Sequence, residues 1–253
     1  MIKFTTEKTR DWVSYLSAIS KITDEVCFHI DTDKLWFRGM DPAHISMIDF
    51  EIPKDDFSSY EPAKEEAVVC VLLDRLLPFV KKSRKDEKME VLMDPKAGKF
   101  RIKITGNYRR EFLTPVLDTT EKSPLKLPKV EYMTNIKMTT SALKEALRDI
   151  KLISEKVKIT SSEDKLELRG ETEEGIETAV TFLATDVDVL DAKLKDGASA
   201  TYNVELMSSV VAELERISSI VNLDYGTDLP LKLTFEFPEE QRFNFYLAPR
   251  IEQ

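Results

Sequence analysis

The sequence predicts an α+β fold made by duplication: two similar domains, each built from a strand-helix-strands unit used twice. Three observations carry this. Asp33-Lys34-Leu35-Trp36-Phe37-Arg38-Gly39 returns as Asp164-Lys165-Leu166-Glu167-Leu168-Arg169-Gly170, and Ile2-Lys3-Phe4-Thr5-Thr6 returns as Ile136-Lys137-Met138-Thr139-Thr140. Four stretches have helical apolar spacing, each with a single stripe, so each packs on a sheet by one side only. Between the copies, Leu117 to Val130 contains two prolines, a Thr-Thr pair and scattered charges, which neither a sheet nor an amphipathic helix can continue. The predicted division is therefore 1–117, a connector over 118–130, and 131–253.

In order, Ile2 to Thr5 reads as a first strand, and Thr6 or Thr9 is placed to cap a helix carrying Trp12, Val13, Leu16, Ile19 and Ile22. Val26 to Ile30 and Leu35 to Phe37 alternate as strands about the polar turn Asp31 to Lys34, and Ile45 to Ile52 adds another. Val68 to Val71 restarts the unit. A helix with Leu73, Leu76, Leu77 and Val80 follows, shortened or bent by Pro78, and then strands near Met89 to Met93, Lys99 to Thr105 and Arg109 to Leu113. The second half repeats this with a strand over Ile136 to Met138 and a helix carrying Leu143, Ala146, Leu147, Ile150 and Ile153. A fourth helix carries Met207, Val210, Val211, Leu214 and Ile217, and strands over Leu231 to Phe237 and Phe243 to Tyr246 close the chain. In the connector, Leu125 and Leu127 stand just ahead of Pro128, which suits a proline-stiffened strand docked on a surface better than a free linker.

Composition narrows the function. The 253 residues are 42% apolar, enough for real cores, and the net charge of −9 repels phosphate polyanions and acidic membranes as a whole. Any nucleic-acid contact must come from a local basic face. Such faces recur: Lys144, Arg148 and Lys151 form a row at i, i+4, i+7 on the third helix. Arg10 and Lys21 end a row through Ser14 and Ser17 on the first, and Arg75 and Lys82, then Arg84 and Lys85, accompany the second. Cys27 and Cys70 each lie in an apolar strand-like run, which suits buried thiols in a reducing compartment rather than a disulfide. No signal-peptide core and no apolar run of membrane-spanning length is present.

The tools of catalysis are scarce. The two histidines, His29 and His44, lack a third ligand at metal spacing, and no glycine-rich phosphate loop occurs. Asp186, Asp188 and Asp191 resemble a magnesium-holding set, the basis of an alternative reading as a metal-dependent nuclease. Such spacings arise by chance among 46 acidic residues, and the expectation is no enzyme, no cofactor and no metal.

Met40-Asp41-Pro42-Ala43-His44-Ile45, Leu125-Lys126-Leu127-Pro128, Asp228-Leu229-Pro230-Leu231 and Tyr246-Leu247-Ala248-Pro249-Arg250-Ile251-Glu252 together resemble the archaeal and eukaryotic DNA sliding clamp family, the proliferating cell nuclear antigen type. The resemblance spans the whole chain. It implies a ring of three two-domain subunits, identical or mixed, with inner helices and outer antiparallel sheets, encircling duplex DNA without sequence specificity. The ring would be opened by an ATP-driven clamp loader. It would tether DNA polymerase, flap endonuclease and DNA ligase through short peptides, inside the cell and on DNA, whether in an archaeal nucleoid or a eukaryotic nucleus. The family's peptide pocket carries over onto Met40, His44, Ile45, Met47, Leu125, Leu127, Pro128, Pro230, Tyr246, Leu247, Ala248, Pro249 and Ile251. Its DNA-facing cations carry over onto Arg10, Lys21, Lys81, Lys82, Lys144, Arg148 and Lys151. Subunits are implied to meet strand to strand, Arg109 to Leu117 on Gly175 to Phe182, with Arg109 and Arg110 facing acids such as Glu177. The fourth helix departs from the family pattern, since Glu205, Glu213 and Glu215 outweigh Arg216, and this leaves open a specialised or checkpoint-type subunit of a mixed ring.

Overall fold

The computed structural model describes residues 1–63, 65–118 and 125–251. The chain forms two compact units: Met1–Pro42 with Ile48–Lys126 and Pro238–Arg242, and Ala43–Met47 with Leu127–Phe237 and Phe243–Gln253. Six connector residues, Thr119 to Pro124, lie outside the described residues.

The first unit runs β1 (Ile2–Thr6), α1 (Thr9–Ile19), β2 (Glu25–Ile30), β3 (Lys34–Met40), β4 (Ser46–Pro53), β5 (Ser59–Glu61), β6 (Ala67–Leu72), α2 (Leu73–Val80), β7 (Lys88–Asp94), β8 (Lys99–Thr105) and β9 (Arg109–Pro115). Its strands lie in the orders β5-β1-β7-β8-β9 and β4-β3-β2-β6. Period-two patterning sets the register. Met89, Val91 and Met93 pair with Ile104, Ile102 and Phe100, so every apolar residue on the buried face of β7 meets one of β8. The core is aromatic: Phe4 stacks on Trp12 at 5.2 Å and tilts against Phe57 at 4.9 Å, and Trp12 reaches Phe28 at 6.1 Å.

The second unit runs β10 (Thr134–Thr139), α3 (Thr140–Lys151), β11 (Lys156–Ser161), β12 (Lys165–Glu171), β13 (Glu177–Leu183), β14 (Val189–Lys193), β15 (Ser199–Asn203), α4 (Val204–Leu214), β16 (Ile220–Tyr225), β17 (Leu231–Glu236) and β18 (Arg242–Leu247). Its orders, β14-β10-β16-β17-β18 and β13-β12-β11-β15, reproduce those of the first unit strand for strand. The α+β class and the doubled element order are as the sequence predicts. The filling differs at the helices, however: α1 buries Trp12 and Tyr15, whereas α3 and α4 bury Leu143, Leu147, Ile150, Val210 and Val211 and no aromatic ring, the buried aromatics of this unit lying on its strands.

Three local expectations need correction. Neither Thr6 nor Thr9 caps α1. The N-cap is Lys8, Thr6 accepts its amide at 3.0 Å, and the Thr9 hydroxyl donates to the Arg84 carbonyl at 2.7 Å. The later helices do carry side-chain caps, Thr139 on α3 and Asn203 on α4. Cys27 and Cys70 form a disulfide rather than two thiols, because the antiparallel register of β2 and β6 sets them directly opposite each other. Connector residues 125–130 adopt no strand. Pro78 does sit in a short helix; lacking an N–H, it cannot bond the carbonyl of Asp74, an exposed residue.

Candidate functional site

In the first unit α1 packs on α2, and the polar sides left over are basic. Arg10, Arg75, Lys81, Lys82, Arg84 and Lys85 are exposed, and among the described residues none has a carboxylate within ion-pair distance. Lys21 is also exposed, but Ser14 and Ser17 are buried, so the expected row along α1 is interrupted. Eight of the eleven residues of α1 are buried, more than a single apolar stripe anticipates.

In the second unit the third-helix row forms as spaced, yet each cation is already partnered. Lys144 pairs with Glu215 of α4's end at 2.9 Å, Lys151 pairs with Glu205 at 2.6 Å, and Arg148 pairs with Glu145. On α4 itself, Arg216 pairs with Glu213 at 2.9 Å. The row is therefore basic in sequence and close to neutral in space.

Two loops of the second unit hold the motif residues. His44 adopts φ 59° and Asp228 φ 54°, left-handed conformations that His and Asp tolerate better than most residues but that still store strain. The Ala248 amide donates to the Ile45 carbonyl at 2.7 Å, joining the loop to the chain's end, and the Arg250 amide donates to the Thr201 carbonyl at 2.7 Å. The Tyr202 hydroxyl fixes the 228–230 turn through the Leu229 carbonyl at 2.7 Å, and burial pushes its phenol pKa up. Ile45 is 39% and Ile251 80% exposed, Pro128 is exposed, and His44 is exposed beside Ile45 in sequence. Leu127, Pro230, Ala248 and Pro249 are half-buried. Met47, Tyr246 and Leu247 are buried, so they support this surface from below rather than line it.

Met40 and Leu125 belong to the first unit. Met40 ends β3, half-buried, and Leu125 is 38% exposed. Arg38 holds the connector: its Nη1 donates to the Leu125 carbonyl at 2.8 Å, while Nε and Nη2 clamp Asp49 at 2.9 and 2.7 Å. The guanidinium lies over Trp36 at 5.7 Å, and Trp36 stacks on His29 at 3.8 Å. Burial lowers the His29 pKa, against the opposing pull of Glu66. The sequence pattern does not single out Arg38, although the repeat offers a signal. Its counterpart Arg169 is also held by carboxylates, but its Nε and Nη2 face Glu167 of its own strand at 3.1 and 2.9 Å and only its Nη1 reaches Glu177 on the neighbouring strand, at 2.8 Å.

β9 and β13 are edge strands, each with the burial alternation of a half-covered surface, and Tyr108, Leu113, Ile176 and Leu183 stand exposed on or beside them. Arg110 is not free to meet acids outside its own unit. It pairs with buried Glu87 and donates to the Lys82 carbonyl at 3.1 Å. Glu177 is likewise engaged by Arg169, whereas Arg109 is exposed. The acids behind the nuclease alternative serve turns: Asp186 accepts the Leu183 amide at 2.8 Å and Asp188 accepts the Thr139 hydroxyl at 2.7 Å. Among the described residues no three His, Cys, Asp or Glu side chains are grouped to hold a metal ion, and no helix is long and apolar enough to cross a membrane.

Comparison with known proteins agrees with this architecture. The family model described as proliferating cell nuclear antigen, C-terminal domain, matches residues 126–250. A protein of Thermofilum pendens named DNA polymerase sliding clamp is 28% identical over 252 residues, covering 100% of both chains. One of the same name from Pyrococcus furiosus is 27% identical over 249 residues, 98% of this chain and 97% of that one. Among solved structures, PCNA of Thermococcus kodakaraensis superposes with a TM-score of 0.91 at 22% identity, over 99% of this chain and 100% of that one. A PCNA2–PCNA3 complex of Sulfolobus tokodaii gives 0.89 at 22% identity, again over 99% and 100%. A. fulgidus PCNA bound to the C-terminal region of FEN-1 gives 0.86 at 22% identity, over 100% of each chain. With residues 126–250 matched by the family's own C-terminal domain, relatives named DNA polymerase sliding clamp aligned from end to end and the fourfold repeat in place, the chain is similar over its whole length to the proliferating cell nuclear antigen family.

Proposed function

We propose that the chain is a subunit of a DNA sliding clamp, a processivity factor that surrounds duplex DNA and tethers replication and repair enzymes without itself catalysing a reaction. The observation that carries this is the paired-helix face of the first unit, where an acidic protein concentrates exposed cations that no carboxylate among the described residues neutralises. Guidance rather than grip is what a threaded ring needs, since tight phosphate binding releases many counterions and opposes sliding. Loading by the cognate ATP-driven loader onto nicked circular DNA tests it. The protein is expected to stay on the circle and to leave when the circle is linearised; equal loss from both forms would refute the reading.

Partner peptides are proposed to dock on the second unit around Ile45, Leu127, Pro249 and Ile251, with an aliphatic or aromatic anchor over Met47, Tyr246 and Leu247 beneath. The backbone of the tail would add strand-like hydrogen bonds. The FEN-1 segment on A. fulgidus PCNA supports a flap nuclease as one such partner. Subunits are proposed to join through edges β9 and β13, which unpaired would invite aggregation. Arg109→Glu is expected to lower the sedimenting mass of the assembly, and an unchanged mass would remove Arg109 from the contact. The carboxylates on α4, with the two-subunit complex from S. tokodaii, favour a mixed ring as a second reading. A monomeric mass for the purified chain is the outcome expected of that reading, and a trimer the outcome that excludes it.

A further inference from the structure

We propose that within this chain the charge that guides DNA is carried by the first unit alone, and that the second unit's basic row is closed by its own carboxylates and serves as a neutral rail. The inference rests on the clamp reading and adds a division of labour to it. In the first unit Lys81, Lys82, Arg84 and Lys85 follow one another off the end of α2. The Thr9 hydroxyl bond to the Arg84 carbonyl brings the start of α1, with Arg10, beside them. These side chains are exposed and among the described residues unpaired, so each is accompanied only by mobile ions that a phosphate can displace.

The topologically equivalent helices of the second unit are arranged otherwise. Lys144, Arg148 and Lys151 each face a carboxylate fixed to the fold, from Glu215, Glu145 and Glu205. Glu205 sits in the first turn of α4, where the free amides favour a negative side chain. A phosphate approaching Lys151 or Lys144 must first take it from its partner and then lies beside the carboxylate left behind. No counterion is released in that exchange, and the attraction gained is cancelled by the repulsion exposed. Screening over about 8 Å at physiological salt keeps the outcome local, so free cations elsewhere do not rescue the paired ones.

The test uses the assembled protein and a short fluorescent linear duplex, with anisotropy followed across a potassium chloride series. Lys81→Gln with Lys82→Gln is expected to weaken association about tenfold at low salt and to lower the salt slope by about two, near 0.9 for each phosphate no longer neutralised. Lys144→Gln with Glu215→Gln, which leaves the net charge unchanged, is expected to alter affinity less than about twofold. Glu205→Gln with Glu215→Gln is expected to strengthen association several-fold and steepen the slope. Loss of affinity from the second pair equal to that from the first, or no gain from the third, would overturn the proposal. Thermal melting of each variant checks the fold, and single Lys82→Gln and Glu205→Gln substitutions replace any pair that melts early, with the same expected directions. Retention on loaded circular DNA is measured in the same preparations. Its absence in the unsubstituted protein defeats the clamp reading, whereas retention with the wrong ranking of variants defeats only the charge assignment.

Discussion

The two units share one strand order and differ in what they place inside and outside it. The first buries aromatic rings on its helix α1, where Trp12 packs against Phe4 and Phe28, and leaves Arg10, Arg75, Lys81 and Lys82 unpaired among the described residues; the second buries no aromatic ring on α3 or α4, carrying Tyr202, Tyr225, Phe243 and Phe245 on its strands and at their ends, and pairs its helix cations with glutamates. A duplicated topology therefore fixes hydrogen-bond ladders and leaves both core chemistry and surface charge free to diverge. The lesson is that the fold is a property of pattern, whereas the faces are a property of particular side chains.

The core contrast is the one most sharply broken by mutation. Phe4→Ala removes the ring that joins Trp12 to Phe57 and is expected to destabilise by about 3–5 kcal/mol, and Met138→Ala at its repeat equivalent by about 2–5 kcal/mol. Denaturant unfolding measures both, and a Phe4→Ala loss below that of Met138→Ala would contradict the aromatic dependence of the first unit. Next is Gly170, where an added Cβ would meet Ile150 at 2.6 Å and Ser154 at 3.1 Å. Gly170→Ala is expected to cost about 1–3 kcal/mol by pushing α3 off β12, read from the shift of the unfolding midpoint.

Arg38 tests the difference between the two equivalent arginines. Because only Arg38 also holds a connector carbonyl, Arg38→Ala is expected to lower partner-peptide affinity by up to about tenfold, the worth of one charge-assisted hydrogen bond. Arg169→Ala is expected to leave that affinity unchanged, and calorimetric titration with a flap-nuclease C-terminal peptide distinguishes them. The pH response lies in the first unit as well. Since burial holds the folded-state pKa of His29 below its ordinary value of 6.5, the unfolded chain takes up the proton first as pH falls. Stability is full above about pH 6.5, declines below it and levels off once the folded imidazole is also protonated. His29→Gln is expected to flatten that step, and protonation should quench Trp36 fluorescence, the ring on which His29 stacks. The smallest effect is expected from Lys144→Gln with Glu215→Gln. A half-exposed pair contributes at most about 1 kcal/mol to stability, so the unfolding curve should barely move.

The repeat, the helix stripes and most strands are legible because they depend on periodicity, which a single sequence displays. The short strands β5 and β14 are not, because their pairing with β1 and β10 is set by distant partners rather than by their own residues. Charge pairing is illegible for the same reason. Nothing in the spacing of Lys144 and Lys151 reveals that Glu215 and Glu205 arrive opposite them from another helix, and the buried engagement of Arg110 by Glu87 depends on register in the same way. Cys27 and Cys70 read as separate thiols because only the β2-β6 register makes them neighbours. The repeated glycines show the limit from the other side: Gly170 is required by the approach of α3, whereas at Gly39 the obstacle is the ring of Phe37 in the same strand.

The most direct test of the account replaces Lys82, and separately Lys144, with the photoreactive residue p-benzoylphenylalanine in a clamp loaded onto nicked circular duplex. Irradiation at physiological salt, where open-ended association is screened, is predicted to give strong DNA adducts from position 82, weak ones from position 144, and none from either after the circle is linearised. Adducts that persist on linear DNA, or that form equally from both positions, would contradict it.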